Sequence, residues 1–355
     1  MLYQKRIICI DISIKERMDF IMSNRLNYIA IALTTHCNCN CFYCKETGES
    51  IIPSIKGTWD FNHLKMVIKV AYSVGLTTFR ITGGEPTMVE YLPDLICYIM
   101  NLGENTKIRL NTNGYNLEYM LDLIEMYKDR IDVMISVDSI SEFINGIHYP
   151  KYLSLKVEKL ATELVKRQIS TRFNIVVTKY NHAEVECLIE KSLKLGVNIK
   201  ILDLIIRNEY LGNDKKLTGK EAFNFGESSY QLLDVIKQHL SEVSDNIKEN
   251  HYISNSNGIP MSGYFFGQQW IQVKDSSKGA LYSKECKKCP YYNSCYEGVF
   301  SPLLSVGEVL HISGCMNQSL YYNLKDKSEN EVRMAFEKLL ELFENIEFKE
   351  HIHSV

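Results

Sequence analysis

Residues 37–44 read Cys-Asn-Cys-Asn-Cys-Phe-Tyr-Cys, so four cysteines fall within eight positions directly after the apolar run Tyr28–Leu33. Where no secretory signal is present, cysteines this dense are more often metal ligands than disulfide partners. The spacing of Cys37, Cys41 and Cys44 supplies three thiolates from one loop. Three thiolates on a cubic 4Fe–4S cluster leave the fourth iron open to another ligand.

Zinc is the competing metal for this loop. A structural zinc site closes with four ligands and commonly pairs two short cysteine hooks. The next cysteine hook here begins only at Cys286, which indicates a separate site. Cys39 lies outside the Cys37, Cys41 and Cys44 spacing, and we interpret it as a spare thiol.

Short β-rich runs alternate with helical patterns from about residue 25 onward. The predicted strands are 27–34, 78–82, 107–111, 133–137, 172–178 and 199–206, and the predicted intervening helices are 61–74, 92–102, 117–127, 153–165 and 185–195. This alternation predicts an α/β fold of parallel strands covered by helices. In β/α barrels the chemistry lies at the carboxyl ends of the strands, which is where the cysteine loop falls.

A second informative loop follows the second predicted strand, where residues 80–86 read Arg-Ile-Thr-Gly-Gly-Glu-Pro. Glycines allow backbone groups to approach a ligand closely, because no Cβ intervenes. Taken alone, the motif is more simply a glycine turn before a helix-initiating proline. Its position after a strand and after the cysteine loop favours a functional interpretation.

Together, the cysteine loop with Tyr43 as its aromatic residue and the Gly-Gly-Glu-Pro segment resemble the radical S-adenosylmethionine (SAM) enzymes. The resemblance implies a partial (β/α)6 TIM-like barrel in which Cys37, Cys41 and Cys44 hold a 4Fe–4S cluster that chelates SAM. Reductive cleavage of SAM then gives a 5′-deoxyadenosyl radical that removes a hydrogen atom from the substrate. The SAM-binding residues that the resemblance implies are Tyr43, Gly83, Gly84, Glu85, Ser136 and Asn174, with Asn113 and Asp138 as weaker candidates.

A second cysteine group follows the barrel, with the spacing Cys286-x2-Cys289-x5-Cys295-x19-Cys315. Four thiolates can close a zinc site or ligate every iron of a 4Fe–4S cluster. Behind a radical SAM barrel, this order resembles the auxiliary-cluster region called Twitch or SPASM. The resemblance therefore implies one auxiliary 4Fe–4S cluster, and two clusters in all.

These patterns divide the chain into five predicted parts. They are an N-terminal extension (1–24), the partial barrel (25–212), a helical or irregular connector (213–275), the auxiliary-cluster region (276–330) and a C-terminal helix (331–355). Within the connector, 221–249 has a largely helical pattern, and 251–267 predicts irregular structure or a hairpin. The amphipathic pattern over 331–348 predicts the last helix.

The chain is also similar to the molybdenum-cofactor GTP 3′,8-cyclase family, over about residues 27–206 and more loosely over 286–316. Two departures bear on substrate: Ala30 stands where that family has an arginine, and Tyr296–Gly314 contains no Arg or Lys. Each missing charge-assisted hydrogen bond to a triphosphate is worth about 1.5–3 kcal/mol. We therefore predict a natural-product precursor or a peptide as substrate, with GTP as the alternative. Arg80, Arg172 and Lys200 are the predicted contacts to an anionic group such as a carboxylate.

The two ends of the chain carry weaker expectations. Only 36 residues precede Cys37, so we expect no long leader-recognition domain there, which counts against a peptide substrate. We also expect the Gly-Gly tail of the cyclase family to be absent, since the last five residues read His-Ile-His-Ser-Val.

The composition is that of an ordinary globular protein, with 355 residues, 45% hydrophobic, 23% charged and a formal net charge of −3. This charge gives no reason to expect nucleic acid as a partner. Charged residues interrupt the first 22 positions and no later apolar run has the length of a membrane span, so we expect a cytoplasmic protein without membrane contact.

The expected partners are the substrate and a reductant such as flavodoxin or ferredoxin. A non-catalytic zinc or iron–sulfur scaffold remains the alternative from another class.

Overall fold

The computed structural model describes residues 26–44, 56–204, 232–250, 260–290, 292–295, 297–315 and 317–351. Its strands are β1 (Tyr28–Ala32), β2 (Thr78–Thr82), β3 (Lys107–Thr112), β4 (Ile131–Ser136), β5 (Phe143–Ile144), β6 (Ile147–His148), β7 (Ser170–Val176), β8 (Asn198–Leu202), β9 (Asn246–Asn250), β10 (Met261–Phe266), β11 (Gln269–Lys274), β12 (Ala280–Ser283), β13 (Pro302–Ser305), β14 (Val309–Ile312), β15 (Tyr322–Asn323) and β16 (Ile346–Lys349). Its α-helices are α1 (Phe61–Ser73), α2 (Leu92–Met100), α3 (Leu121–Met126), α4 (Leu155–Lys166), α5 (His182–Lys194), α6 (232–243) and α7 (Glu329–Leu340).

Six parallel strands form the centre of the fold. β1, β2, β3, β4, β7 and β8 are neighbours in chain order, and each pairs in parallel with the next. A helix follows each of the first five, as the alternating pattern predicted. The prediction of an α/β fold with a large parallel sheet is confirmed.

The two faces of these strands differ in chemistry, which follows from the two-residue period of a strand. One face is apolar and packs beneath the helices; its residues in the first three strands are Ile29, Ile31, Phe79, Ile81, Ile108 and Leu110, all fully buried. The opposite face carries charged and small residues. Helix α1 begins where the Asp60 carboxylate accepts a hydrogen bond from the backbone N–H of His63 (2.8 Å), which caps its first turn.

The sheet continues beyond the six strands on both sides. β13 pairs in parallel with β1 and leads to β14 and β15, while β11 pairs in parallel with β8 and leads to β10 and β9. One twelve-stranded sheet therefore includes segments on either side of the second cysteine group.

Two predicted helices are shorter than expected. The helical prediction over 221–249 is wrong at its end, because residues 246–250 are strand β9 and pair with β10. The prediction of a helix over 331–348 is wrong beyond Leu340, since Ile346–Lys349 is strand β16 and pairs with β12. In both places a strand partner from elsewhere in the chain overrides the local pattern. The predicted 1–24 extension, the last part of the predicted barrel (205–212) and the 213–231 and 251–259 parts of the connector lie outside the described residues.

Within the described ranges, no helix combines the length and the apolar character that crossing a membrane requires.

Candidate functional site

The cysteine loop, residues 35–44, begins where β1 ends, and backbone hydrogen bonds fix its start. The N–H of Gly84 donates to the carbonyl of Thr34 (2.6 Å), and the N–H of Glu85 donates to the carbonyl of His36 (2.8 Å). On its other side, the N–H of Thr35 donates to the carbonyl of Gly57 (3.0 Å). The segment after β2 therefore holds the loop that carries the thiols.

Both glycines of that segment are required by this close approach. A Cβ on Gly84 would lie 2.1 Å from the carbonyl oxygen of His36, and one on Gly83 would lie 2.5 Å from that of Thr34. Gly83 also has a φ of +133°, which L side chains rarely adopt. The resemblance to radical SAM enzymes implied that Gly83 and Gly84 contact SAM. In the structure their close neighbours are backbone atoms of residues 33–36, where the cysteine loop begins.

Glu85 is fully buried, and its carboxylate joins two strand ends. It accepts hydrogen bonds from the hydroxyls of Thr87 and Thr112, both at 2.6 Å, and from the backbone N–H of Asn113 at 2.6 Å. The carboxylate is thereby saturated by protein donors. Its position indicates a role in holding the ends of β2 and β3 together around the site.

The loop thiols interact in pairs. A hydrogen bond between the thiols of Cys37 and Cys39 lowers the pKa of Cys37 to about 7 and, with burial, raises the pKa of Cys39. A hydrogen bond with Cys44, together with burial, raises the pKa of the Cys41 thiol. The amide Nδ2 of Asn113 lies 3.1 Å from the sulfur of Cys39. Asn113, a weaker SAM candidate, therefore reaches the loop directly.

Sequence reasoning missed part of the environment of these thiols. The hydroxyl of Tyr43 donates a hydrogen bond to Asp138, whose other carboxylate oxygen accepts from the N–H of Val176 (2.9 Å). Burial raises the pKa of both the Tyr43 phenol and the Asp138 carboxyl. The ammonium of Lys151 lies 5.6 Å from the centre of the Tyr43 ring. The strand-end position indicated Asp138, whereas no motif pointed to Lys151.

The predicted SAM contacts Ser136 and Asn174 are register partners on β4 and β7. Asn174 is buried, and its side-chain oxygen has no hydrogen-bond partner among the described residues. A buried acceptor of this kind is costly unless a ligand or water satisfies it. Ser136 and Asn174 therefore form a polar site toward the carboxyl ends of β4 and β7.

The three predicted substrate contacts share the polar face of the sheet with two further cations. Arg80 pairs in register with Arg109, and Arg109 lies 3.8 Å (Nε to Oδ2) from Asp132 on β4. Burial and the nearby Arg109 lower the pKa of Arg172 to about 10. Burial, then Arg172 and Lys274, lower the pKa of Lys200 well below its ordinary value. We call Arg80, Arg109, Arg172, Lys200 and Lys274 the cationic face.

The second cysteine group is also assembled in space. Burial and the neighbouring thiols raise the pKa of Cys286, and burial raises that of Cys315 to about 12, with Cys286, Cys295 and Cys289 contributing. Two tyrosines anchor the backbone there. The hydroxyl of Tyr282 donates to the carbonyl of Cys295, and that of Tyr321 donates to the carbonyl of Cys315 (2.8 Å).

Within the part of the chain that the structure describes, no three His, Cys, Asp or Glu side chains converge as a ready metal site. In the first loop the thiols are hydrogen-bonded in pairs, Cys37 with Cys39 and Cys41 with Cys44. The donor sets nevertheless fit iron–sulfur chemistry, because each group supplies at least three thiols and backbone hydrogen bonds fix the start of the first loop.

Comparisons with known proteins agree with this geometry. Residues 31–191 match the family model described as the Radical SAM superfamily, which confirms the resemblance. The chain is 28% identical to the GTP 3′,8-cyclase of Clostridium perfringens strain SM101 over 225 residues, covering 62% of this chain and 65% of that protein. It is 27% identical to the GTP 3′,8-cyclase of Sulfurimonas denitrificans over 294 residues, covering 81% and 83%. The match thus spans slightly less than two thirds of the C. perfringens enzyme.

Solved structures show the same fold at low identity. Streptococcus suis SuiB aligns with a TM-score of 0.55 and 13% identity, covering 91% of this chain and 66% of SuiB. The structure described as anSMEcpe with bound AdoMet aligns with a TM-score of 0.55 and 14% identity, covering 90% and 83%.

The spacing of the loop cysteines predicts that Cys37, Cys41 and Cys44 bind the cluster and that Cys39 does not. Replacing Cys37, Cys41 or Cys44 by serine is expected to remove about four irons per chain and to abolish SAM cleavage, because two thiolates cannot anchor the cube with one iron open. Cys39→Ser is the matched control and should retain both properties. Iron analysis and 5′-deoxyadenosine release after anaerobic reconstitution measure the outcome. Retention of iron in Cys37→Ser with loss in Cys39→Ser would overturn the assignment.

The close approach at Gly84 predicts a defect in loop position. In Gly84→Ala the added Cβ must displace the carbonyl of His36, at an overpacking cost of about 1–3 kcal/mol in the free energy of unfolding, and iron binding should fall. Gly146→Ala is the control, since its Cβ meets nothing within 4 Å although its φ is +79°. It should lose about 1 kcal/mol through backbone strain alone and keep its iron. Equal iron retention in the two variants would contradict the role of Gly84.

Proposed function

We propose, on the premise that this chain carries a radical SAM domain, that the protein is an enzyme that cleaves SAM reductively and removes a hydrogen atom from an anionic substrate. A bound 4Fe–4S cluster and SAM supply the 5′-deoxyadenosyl radical. One observation carries the proposal: three thiols follow the carboxyl end of β1, and the cations lie on the polar face of the same parallel sheet. The carboxyl ends of the strands are where β/α folds place their chemistry.

The roles of this chain's own residues follow from their positions. Cys37, Cys41 and Cys44 would ligate the cluster, and the backbone of Gly83 and Gly84 would hold their loop at the correct distance from β2. Ser136 and Asn174 would receive polar groups of SAM, since the unsatisfied side-chain oxygen of Asn174 requires a donor. The electron would come from a reductant of the flavodoxin or ferredoxin class.

GTP is the substrate with the wider support. The relatives at 25–31% identity carry the name GTP 3′,8-cyclase, some as probable. The cationic face adds Arg109 and Lys274 to the three cations predicted from the sequence, although Asp132 and Asp203 pair with these two. A cluster of mutually repelling buried cations suits a polyanion, because each phosphate oxygen offsets repulsion and supplies charge-assisted hydrogen bonds. The cationic face therefore weakens the argument from the missing arginine at position 30, which led us to predict a substrate other than GTP.

A carboxylate-bearing precursor or peptide is the second candidate. Two observations favour it: Ala30 lies beside Arg80 in the register of β1 and β2, and the stretch 296–314 carries no Arg or Lys. One carboxylate would need only part of the cationic face. Cys286, Cys289, Cys295 and Cys315 would hold an auxiliary 4Fe–4S cluster with every iron ligated, which suits electron transfer or pocket shaping.

The test is anaerobic incubation of the reconstituted protein with SAM, dithionite and GTP. We expect a cyclised nucleotide and 5′-deoxyadenosine, and Lys200→Met should raise the KM for GTP about ten- to hundredfold through loss of one charge-assisted contact. Lys166→Met, on the exposed side of α4, is the matched control and should change nothing. If SAM is cleaved but GTP is not converted, the substrate is instead the precursor or peptide. Iron-loaded protein that never cleaves SAM would refute the enzyme, and zinc without iron would support a scaffold.

The auxiliary cluster predicts a separate iron count. A variant with Cys37, Cys41 and Cys44 all replaced by alanine should still bind about four irons per chain, because the second group supplies four thiolates of its own. Its matched counterpart, with Cys286, Cys289, Cys295 and Cys315 replaced, should also bind about four. Zinc, or no metal, in the first variant would contradict the auxiliary cluster.

A further inference from the structure

His351 makes hydrogen bonds through both nitrogens of its ring. Its Nδ1 lies 2.7 Å from the carbonyl oxygen of Ser276, and its Nε2 lies 2.8 Å from the hydroxyl oxygen of Tyr282. The hydroxyl of Tyr282 in turn donates to the carbonyl of Cys295. His351 is therefore joined to the second cysteine group through one tyrosine side chain.

The chemistry of these partners decides which atoms of His351 carry hydrogen. A carbonyl oxygen only accepts, so Nδ1 has to donate to Ser276. The Tyr282 hydroxyl has one hydrogen and gives it to Cys295, so Nε2 has to donate to the Tyr282 oxygen. Both ring nitrogens carry hydrogen only in the imidazolium form. The two ring N–H groups of His351 thus hold the Tyr282 hydroxyl in the orientation that reaches Cys295.

The backbone before His351 is held against the strand that carries Tyr282. Strand β16 pairs antiparallel with β12, and Lys349 is the register partner of Ala280. Gly279 permits this approach, because a Cβ there would lie 2.4 Å from the carbonyl oxygen of Lys349. His351 comes two residues after β16, so the pairing fixes the distance between its ring and Tyr282.

The other end of these contacts lies on the barrel. The backbone N–H of Ser276 donates to a carboxylate oxygen of Asp203 (2.8 Å), and the hydroxyl of Ser276 donates to the same oxygen. Asp203 directly follows β8, and its side chain is fully buried. We call Asp203, Ser276, His351 and Tyr282 the hydrogen-bond series. It runs from the end of β8 to the backbone of Cys295.

The other three cysteines of the second group are held by contacts outside this series. The N–H of Cys289 donates to the carbonyl of Cys286 (3.0 Å), and the hydroxyl of Tyr321 donates to the carbonyl of Cys315 (2.8 Å). Breaking the hydrogen-bond series would therefore displace Cys295 while these three thiols keep their supports.

We propose that His351 is a positioning residue of the second cysteine group, which fixes Cys295 through Tyr282 so that the Cys295 thiolate serves as the fourth ligand of the auxiliary cluster. This inference rests on the auxiliary cluster of the proposed function. A 4Fe–4S cluster that keeps only three thiolates has one iron without a protein ligand. With ferricyanide as oxidant, the bonds of that iron to the cluster sulfides break, the iron leaves as Fe²⁺, and one electron passes to ferricyanide. A 3Fe–4S cluster remains, so loss of His351 should remove one iron and not the whole cluster.

The test uses a background in which the three predicted cluster cysteines of the first loop are alanine, so that only the second group binds iron. His351→Leu and Tyr282→Phe are compared with Cys295→Ala, which removes the ligand itself. After anaerobic reconstitution and brief treatment with ferricyanide, we expect each variant to fall from about four irons per chain to about three. Each should also show the electron paramagnetic resonance signal of an oxidised 3Fe–4S cluster. Adding His351→Leu to Cys295→Ala should change nothing further, because both act on the same ligand.

Tyr292→Phe is the matched control for the loss of a hydroxyl. The ring of Tyr292 packs edge-on against that of Tyr282, with 5.3 Å between the ring centroids, and within the described residues its hydroxyl makes no hydrogen bond. This variant should keep about four irons per chain and give no 3Fe–4S signal.

The outcomes separate this inference from the function on which it rests. Retention of about four irons in both His351→Leu and Tyr282→Phe would overturn it, and an effect in only one of the two would overturn the series that joins them. Complete loss of iron in both variants would overturn it in favour of a role in folding the whole region. A background protein without iron would overturn the auxiliary cluster and this inference together. SAM cleavage by the unsubstituted protein would then still leave the radical SAM activity standing.

Discussion

Two backbone hydrogen bonds, from Gly84 to Thr34 and from Glu85 to His36, are the contacts on which the site depends. They join the loop after β1 to the loop after β2 at a distance that excludes a side chain at Gly84. Because Glu85 also binds the end of β3, the same segment positions three consecutive strand ends. A loop of thiols that would bind a cluster without a fourth protein ligand needs such support. Its own ten residues contain the donors but few contacts that would orient them.

The sheet provides a second constraint, through the two-residue period of its strands. On one face the strands bury isoleucine, leucine and phenylalanine beneath the helices, and this burial stabilises the fold. The opposite face carries residues that destabilise the fold, such as Arg172 and Lys200. The pKa of each is lowered by burial and by the neighbouring positive charges. The fold thus separates the source of its stability from the residues that would bind substrate.

Much of this organisation follows from sequence patterns, and the exceptions have physical reasons. The strand and helix alternation from residue 27 to residue 206 agrees with the structure because each apolar run is buried by its own neighbours in the chain. β9 and β16 were missed because their own residues are polar enough to suit a helix, and each is fixed as a strand by pairing, β9 with the strand that follows it and β16 with the distant β12. The three predicted substrate contacts could be chosen from strand positions, whereas Arg109 and Lys274 were added only once the structure was known. Lys151 had no signal at all, since a lysine in an irregular loop has meaning only when its neighbours in space are known.

The distribution of charge connects these features. The chain as a whole is slightly acidic, with a net charge of −3, and yet one sheet edge and the face behind it gather Lys151, Arg80, Arg109, Arg172 and Lys200. Acidic groups of the chain accompany some of these cations. Cys44, Cys41 and Asp138 raise the pKa of Lys151 despite its burial, and Asp132 lies beside Arg109. Two members of the cationic face have acidic partners, Asp132 for Arg109 and Asp203 for Lys274. Burial and the surrounding cations nevertheless lower the pKa of Arg172 and of Lys200, so that an anion bound beside them would relieve the repulsion.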